Sequence, residues 1–236
     1  MPDPFDLLDR LDRWRHLPDY QLERRADVFF SLYLPEVLGA HFGAAFDPTL
    51  VPEFPVRLGL IHGTPSNQSF KVDYLALSAD RSALWLVELK TDPGSRNTTQ
   101  DENMQGAVAA GAAALLQGVV HIARASKHKQ KYGHLLAALA GLGLLRVPGD
   151  LWDILYPDVR RGLTARLGDI RVAPGVAQMT VRLAYVQPEA HHPGEIGFDT
   201  VAAVVERHLD PLSQRFAASL RRWSRVAGST DPRSLG

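Results

Sequence analysis

Apolar positions recur along the chain at two periods, and the switches between those periods mark out the elements. Phe5, Leu8, Leu11 and Trp14 share one stripe, which predicts a short amphipathic helix over 4–16. Pro18-Asp19 reads as a helix start with Asp19 as N-cap. The helix that follows, from about Tyr20 to Leu34, is expected to bury Val28, Phe29, Leu32 and Tyr33. Pro35 is expected to interrupt it, with a further turn or two over Glu36 to His41. Pro48, Pro52 and Pro55 read as a loop, 54–61 as a strand, and 62–69 as a run of turn formers.

The clearest pattern comes next. Residues 70–77 (FKVDYLAL) and 83–90 (ALWLVELK) are strand-like runs joined by a short polar turn, which predicts an antiparallel hairpin. A long helix is expected from Thr98 to about Ala125, rich in Ala and Gly for close packing on a sheet, then a basic kink over 126–131. Tyr132 to Leu142 reads as a helix closed by Gly141 and Gly143. Residues 147–175, broken by Pro148, Pro157 and Pro174, give no pattern. Residues 177–188 alternate as a strand, 191–194 (HHPG) turn, Asp199 is expected to cap a helix to Arg207, and Asp210-Pro211 to restart it to about Val226. The order implies an α/β fold: a central mixed β-sheet flanked by helices, with an N-terminal helical extension and C-terminal helices. It reads as one domain over 1–226, with its core at about 20–190 and a disordered tail at 227–236.

Composition narrows the function. The 236 residues are 45% apolar and 22% charged, the range of globular chains. Basic and acidic residues cancel at 26 each, so a polyanion has to meet a local patch rather than a net positive chain. Cysteine is absent, which excludes disulfides, thiolate metal sites and a cysteine nucleophile. The start, Met1-Pro2-Asp3-Pro4, lacks the order of a secretory signal, and the apolar run 106–123 is too short and too weakly apolar to span a bilayer. A cytoplasmic protein with no membrane partner is expected. Of the basic residues 21 are Arg and only five are Lys, at 71, 90, 127, 129 and 131. Lysine retained against such a bias can mark chemistry that a guanidinium does not supply.

Strand alternation concentrates the chemistry in the hairpin. Lys71, Asp73, Leu75 and Leu77 share one face of the first strand, and Leu84, Leu86, Glu88 and Lys90 one face of the second. If Ser78 pairs with Ala83, Asp73 lies opposite Glu88. Like charges so placed are destabilising, and half-buried carboxylates repel unless one is protonated or a cation joins them. Mg²⁺ or Mn²⁺ resolves that conflict with hard oxygen ligands, and Lys90 on the same face can position water or neutralise a phosphate.

Asp73 followed by Glu88-Leu89-Lys90 on the adjacent strand, with 14 residues between the acids, resembles the PD-(D/E)XK nuclease superfamily of the restriction-endonuclease-like fold. The resemblance covers about residues 20 to 190 by element order, although the motif itself is only a few residues; Val72 stands where the family's Pro would be, and Met104 where one branch has Tyr. It implies metal-dependent hydrolysis of nucleic-acid phosphodiesters, DNA above all, with Mg²⁺ or Mn²⁺ as cofactor. Asp73, Glu88 and the Leu89 carbonyl would ligate the metal and Lys90 would position the attacking water. Glu36, or Glu23 as second choice, would supply the Glu that members often carry on the helix before the sheet, and Gln100 the Gln of the helix after the tripeptide.

Lys71, Arg96, Lys127, Lys129 and Lys131 are the candidate phosphate-backbone contacts, the last three forming with Arg124 and His128 the densest basic run. The alternative is a catalytically inactive module of the same fold, binding nucleic acid or protein within a repair or defence assembly and docking through the Trp14 helix. A second copy of the chain is a further candidate partner.

Overall fold

The structure, a computed structural model, describes residues 4–17, 20–91, 98–127, 129–147, 149 and 167–226. The expected Asp19 cap, Arg96, His128, most of 147–175 and the tail lie outside these residues. A five-stranded mixed sheet runs in the order β1-β2-β3-β6-β7, with β1 at Val51–Arg57, β2 at Ser69–Leu77, β3 at Ala83–Leu89, β6 at Thr180–Gln187 and β7 at Glu195–Gly197. A separate antiparallel pair joins β4 (Leu145–Arg146) to β5 (Arg171–Val172). By its contacts the chain falls into two units, residues 1–48, 87–97 and 183–236, and residues 49–86 and 98–182.

The first unit has a helical core of α1 (Pro4–Trp14), α2 (Glu23–Phe42), α7 (Phe198–Val205) and α8 (Pro211–Val226). Phe30, Phe198, Phe216 and Trp223 pack there as linked rings with centroids 5.4–6.3 Å apart. Such aromatic pairs add roughly 0.5–1.5 kcal/mol each beyond the area they bury.

α2 runs straight through Pro35, where an interruption was expected. Val37 and Leu38 beyond the proline are buried, and that packing offsets the roughly 3 kcal/mol cost of an internal proline. The buried stripe of α2 is Ala26, Phe29, Phe30, Tyr33, Leu34, Val37 and Leu38. Val28 and Leu32, expected inside, are 58% and 60% exposed. At α8, which restarts after Asp210-Pro211 as expected, Asp210 accepts the Ser213 N–H at 3.0 Å and so caps the helix. Asp199 does not cap α7; it lies in the first turn and bonds Ser224 at 3.1 Å.

The second unit holds β1, β2, α3 (Leu58–Ile61), α4 (Thr98–Ala110), α5 (Ala112–Ala125) and α6 (Gly133–Gly141). β1 begins earlier than expected and contains Pro52 and Pro55, which an edge strand tolerates because one side of its ladder is unused. Residues 58–61, expected to continue that strand, turn into α3. The long helix expected over 98–125 is two helices bent by 109°, with Gly111 at φ +81° between them. Only glycine takes that backbone without strain. Among the described residues no single helix is long and apolar enough to cross a membrane.

Candidate functional site

The turn between β2 and β3 sets the register of the hairpin. Ser78 N–H donates to Ala83 O at 3.1 Å, and Ala83 N–H donates to Ser78 Oγ at 2.9 Å. That pairs Ser78 with Ala83 at the turn. Every residue of β3 is buried. Glu88 is 2% exposed and Lys90 6% exposed, so both charges are held out of water by the apolar strand that carries them. Lys90 Nζ donates to Glu88 Oε1 at 2.6 Å and stands 3.9 Å from Glu23 Oε2. Glu23, Asp73 and Glu88 each offer a carboxylate oxygen, and these oxygens lie within 4.8 Å of one another.

Two backbone bonds carry the site across to β6. Thr180 N–H donates to Ser82 O at 2.9 Å and Lys90 N–H donates to Val186 O at 2.8 Å. In a parallel ladder these pair Ala83 with Thr180 and Lys90 with Gln187, one register for both. It sets Tyr185 beside Glu88 and Gln187 beside Lys90, and β7 then sets Glu195 beside Tyr185. All three are buried. Glu195 Oε2 accepts the backbone N–H groups of His191 and His192 at 2.8 and 3.2 Å, which is what the HHPG turn does here. On the other side, β1 passes from the pair Pro52–Tyr74 to Phe54–Val72, and Glu53, at the level of Asp73, has φ +52°. A glutamate in that left-handed region interrupts the ladder next to the acid.

The electrostatics are one-sided. Three carboxylates and one ammonium leave a formal charge of −2 on these four groups. Burial penalises each charge, and like charges this close raise the cost. A divalent cation answers the imbalance in sign and in donor type, since Mg²⁺ and Mn²⁺ prefer carboxylate oxygens. Ligands at about 2.1 Å from one ion stand about 3–4 Å apart, so the three carboxylates fit such an ion after a small inward shift.

The remaining expected residues are distributed as follows. Leu89 is buried and ends β3, between Glu88 and Lys90. Gln100 is half-buried in the first turn of α4. Glu36 is not with the acids. It bonds His208 Nε2 at 2.7 Å and lies 4.0 Å from Arg207, and Glu23 takes the place expected of it. The reason is the unbroken α2: 13 residues along one helix is about 20 Å, so Glu23 and Glu36 cannot serve one ion. Lys71 is exposed on β2, and Lys127 and Lys131 are exposed beyond α5. Lys129 donates to Ser126 O at 2.7 Å, capping the end of α5. Tyr185, Gln187 and Glu195 were not singled out from sequence; the signal for them was polar residues spaced in a strand and a three-residue strand too short to read.

Compared with family models, curated proteins and solved structures, the chain matches none.

Proposed function

We propose that the protein is a divalent-metal-dependent nuclease of PD-(D/E)XK type, cleaving phosphodiesters of nucleic acid, with DNA the leading substrate. The observation that carries this reading is a buried lysine held against Glu88 inside a group of three convergent carboxylates. Asp73, Glu88 and Glu23, with the Leu89 carbonyl, would hold Mg²⁺ or Mn²⁺. When bound, the ion polarises the phosphoryl oxygen and lowers the pKa of water.

The residues do the rest. Glu88 accepts the Lys90 hydrogen bond and fixes that side chain on the strand face, where it can hold a water or meet phosphate charge. Asp73 and Glu23 are half-buried, less enclosed than Glu88. Gln187 and Tyr185, beside Lys90 and Glu88, wall it on the β6 side.

The test is Mn²⁺ binding by calorimetry together with cleavage of duplex and single-stranded DNA in Mg²⁺ or Mn²⁺ against EDTA. Asp73→Asn should weaken Mn²⁺ binding at least tenfold and remove cleavage. Metal-independent binding of DNA without cleavage would instead support the inactive module, in which Lys90 and Glu88 are simply a closed structural ion pair.

A further inference from the structure

Four arginines near the C-terminal end of the first unit are matched to acids. Arg207 faces Glu36, Arg215 faces Asp9 and Asp12, Arg221 faces Asp199 and Glu206, and Arg222 faces Asp12. The second unit holds a cationic group built the other way. Arg57 ends β1 and lies half-buried along α5, where Gly118 leaves it room: a Cβ on Gly118 would meet Arg57 Cβ at 3.4 Å. One turn on from Gly118 is His121, and one further turn on is Arg124, both exposed. Arg57 Nε donates to Asn67 Oδ1 at 3.1 Å, which holds the guanidinium in place. Among the described residues none of the three makes an ion pair.

We propose that Arg57, His121 and Arg124 form a phosphate-binding site for the backbone of a nucleic acid. Two guanidinium groups beside an imidazole, with no carboxylate paired to them, suit an anion, and a bound phosphodiester removes the repulsion between the cations. A guanidinium anchored through Nε still presents its two terminal nitrogens, the fork that matches phosphate oxygens. With a net charge of zero, the chain needs such a patch to hold a polyanion. The electrostatics of His121 agree: partial burial, then the charges of Arg57 and Arg124, hold its pKa below the ordinary value. Other charged groups on the elements packed against α5 are Glu53 of β1, Lys129 and Lys131 of the 3-10 turn Lys129–Tyr132, Arg171 of β5, and Asp101 and Glu102 of α4. An anion at the trio raises the His121 pKa, so binding takes up a proton and strengthens as pH falls.

The inference shares its ligand class with the proposed function but needs no metal, so it is tested in EDTA on the full chain. A short fluorescein-labelled DNA duplex is titrated by anisotropy across a salt series. Arg124→Ala, on the exposed helix surface, should weaken binding roughly threefold to tenfold and lower the salt slope by about one, with Arg124→Lys restoring much of both. Arg57→Ala should do the same if its melting temperature shows that it folds. Wild type should gain affinity from about pH 8 to about pH 6 and His121→Gln should not. Unchanged affinity and slope in Arg124→Ala would overturn the site. Inorganic phosphate competing as well as duplex, at equal phosphate, would overturn the nucleic-acid assignment in favour of a small-anion site. A failed cleavage test with this result intact would sink only the metal reading.

Discussion

Asp12 on α1 and Glu88 on β3 belong to the same unit, and their surroundings treat them in opposite ways. Asp12 accepts hydrogen bonds from Arg215 at 2.7 Å and from Trp223 Nε1 at 2.8 Å, and Arg222 lies against it as well. Asp9 takes the other side of Arg215. Two acids meet two arginines, the charges cancel, and α1 is fastened to α8. Burial pushes the Asp12 carboxyl up, but hydrogen bonds from Arg215 and Arg222 and their charges outweigh it and hold the pKa below the ordinary value. Around Glu88, Lys90 stands 2.6 Å from Glu88 and 3.9 Å from Glu23, and Asp73 joins the two acids. The first arrangement stabilises the fold in its own right. The second brings three carboxylate oxygens within 4.8 Å of one another, a grouping that a cation suits.

The largest expected effect breaks the acidic group. Lys90→Ala should cut metal-dependent cleavage by about 10²–10³-fold, measured as initial rates on duplex DNA. Because it also leaves Glu88 buried without its cation, the variant should lose about 3 kcal/mol in urea unfolding, so rates are compared well below its midpoint. Mn²⁺ at about a hundred times its Kd should stabilise the wild type by about 2.7 kcal/mol and Asp73→Asn by no more than about 1.4 kcal/mol, read as a shift in melting temperature. A wild type indifferent to Mn²⁺ would make the two charge clusters equivalent and remove the contrast.

The balanced cluster should respond in the opposite direction. Asp12→Ala strips partners from Arg215, Arg222 and Trp223 and should cost about 2 kcal/mol in urea, with no change in Mn²⁺ affinity. Its pH dependence follows from the depressed carboxyl. The stabilisation is present above the pKa of the unfolded chain and is lost as pH falls through the lower folded value, so wild type should lose more stability than Asp12→Ala below about pH 4. The smallest effect sharpens the comparison most. Asp73→Asn relieves repulsion with Glu88 and should stabilise the metal-free protein by up to about 1 kcal/mol, whereas removing the Asp12 charge destabilises it. Destabilisation by Asp73→Asn in EDTA would mean that the acidic group is structural.

Much of the site was legible before the fold. The β2–β3 hairpin is local, its turn is short, and alternation puts Asp73, Glu88 and Lys90 on one side in any register with matching faces. Helix continuity was not legible in the same way. Pro35 carries a break signal and the run 98–125 a continuity signal, yet packing carried α2 through the proline and Gly111 bent the second run by 109°. That reversal is why Glu23 and not Glu36 joins the acids, since a helix that does not break cannot fold its far end back.

The sequence by itself determined the hairpin, its acidic and basic face, the α/β class and the absence of thiol chemistry, because each depends on neighbours a few residues away or on composition alone. Only the tertiary structure decided that Lys90 is buried against Glu88, that Tyr185, Gln187 and Glu195 line up beside them, and that Arg57 lies along α5 at Gly118. Apart from Lys90 and Glu88, which are neighbours on one strand face, those pairings join residues tens of positions apart or more. They follow from the order of strands in the sheet and from which helix face is covered, which no local period encodes.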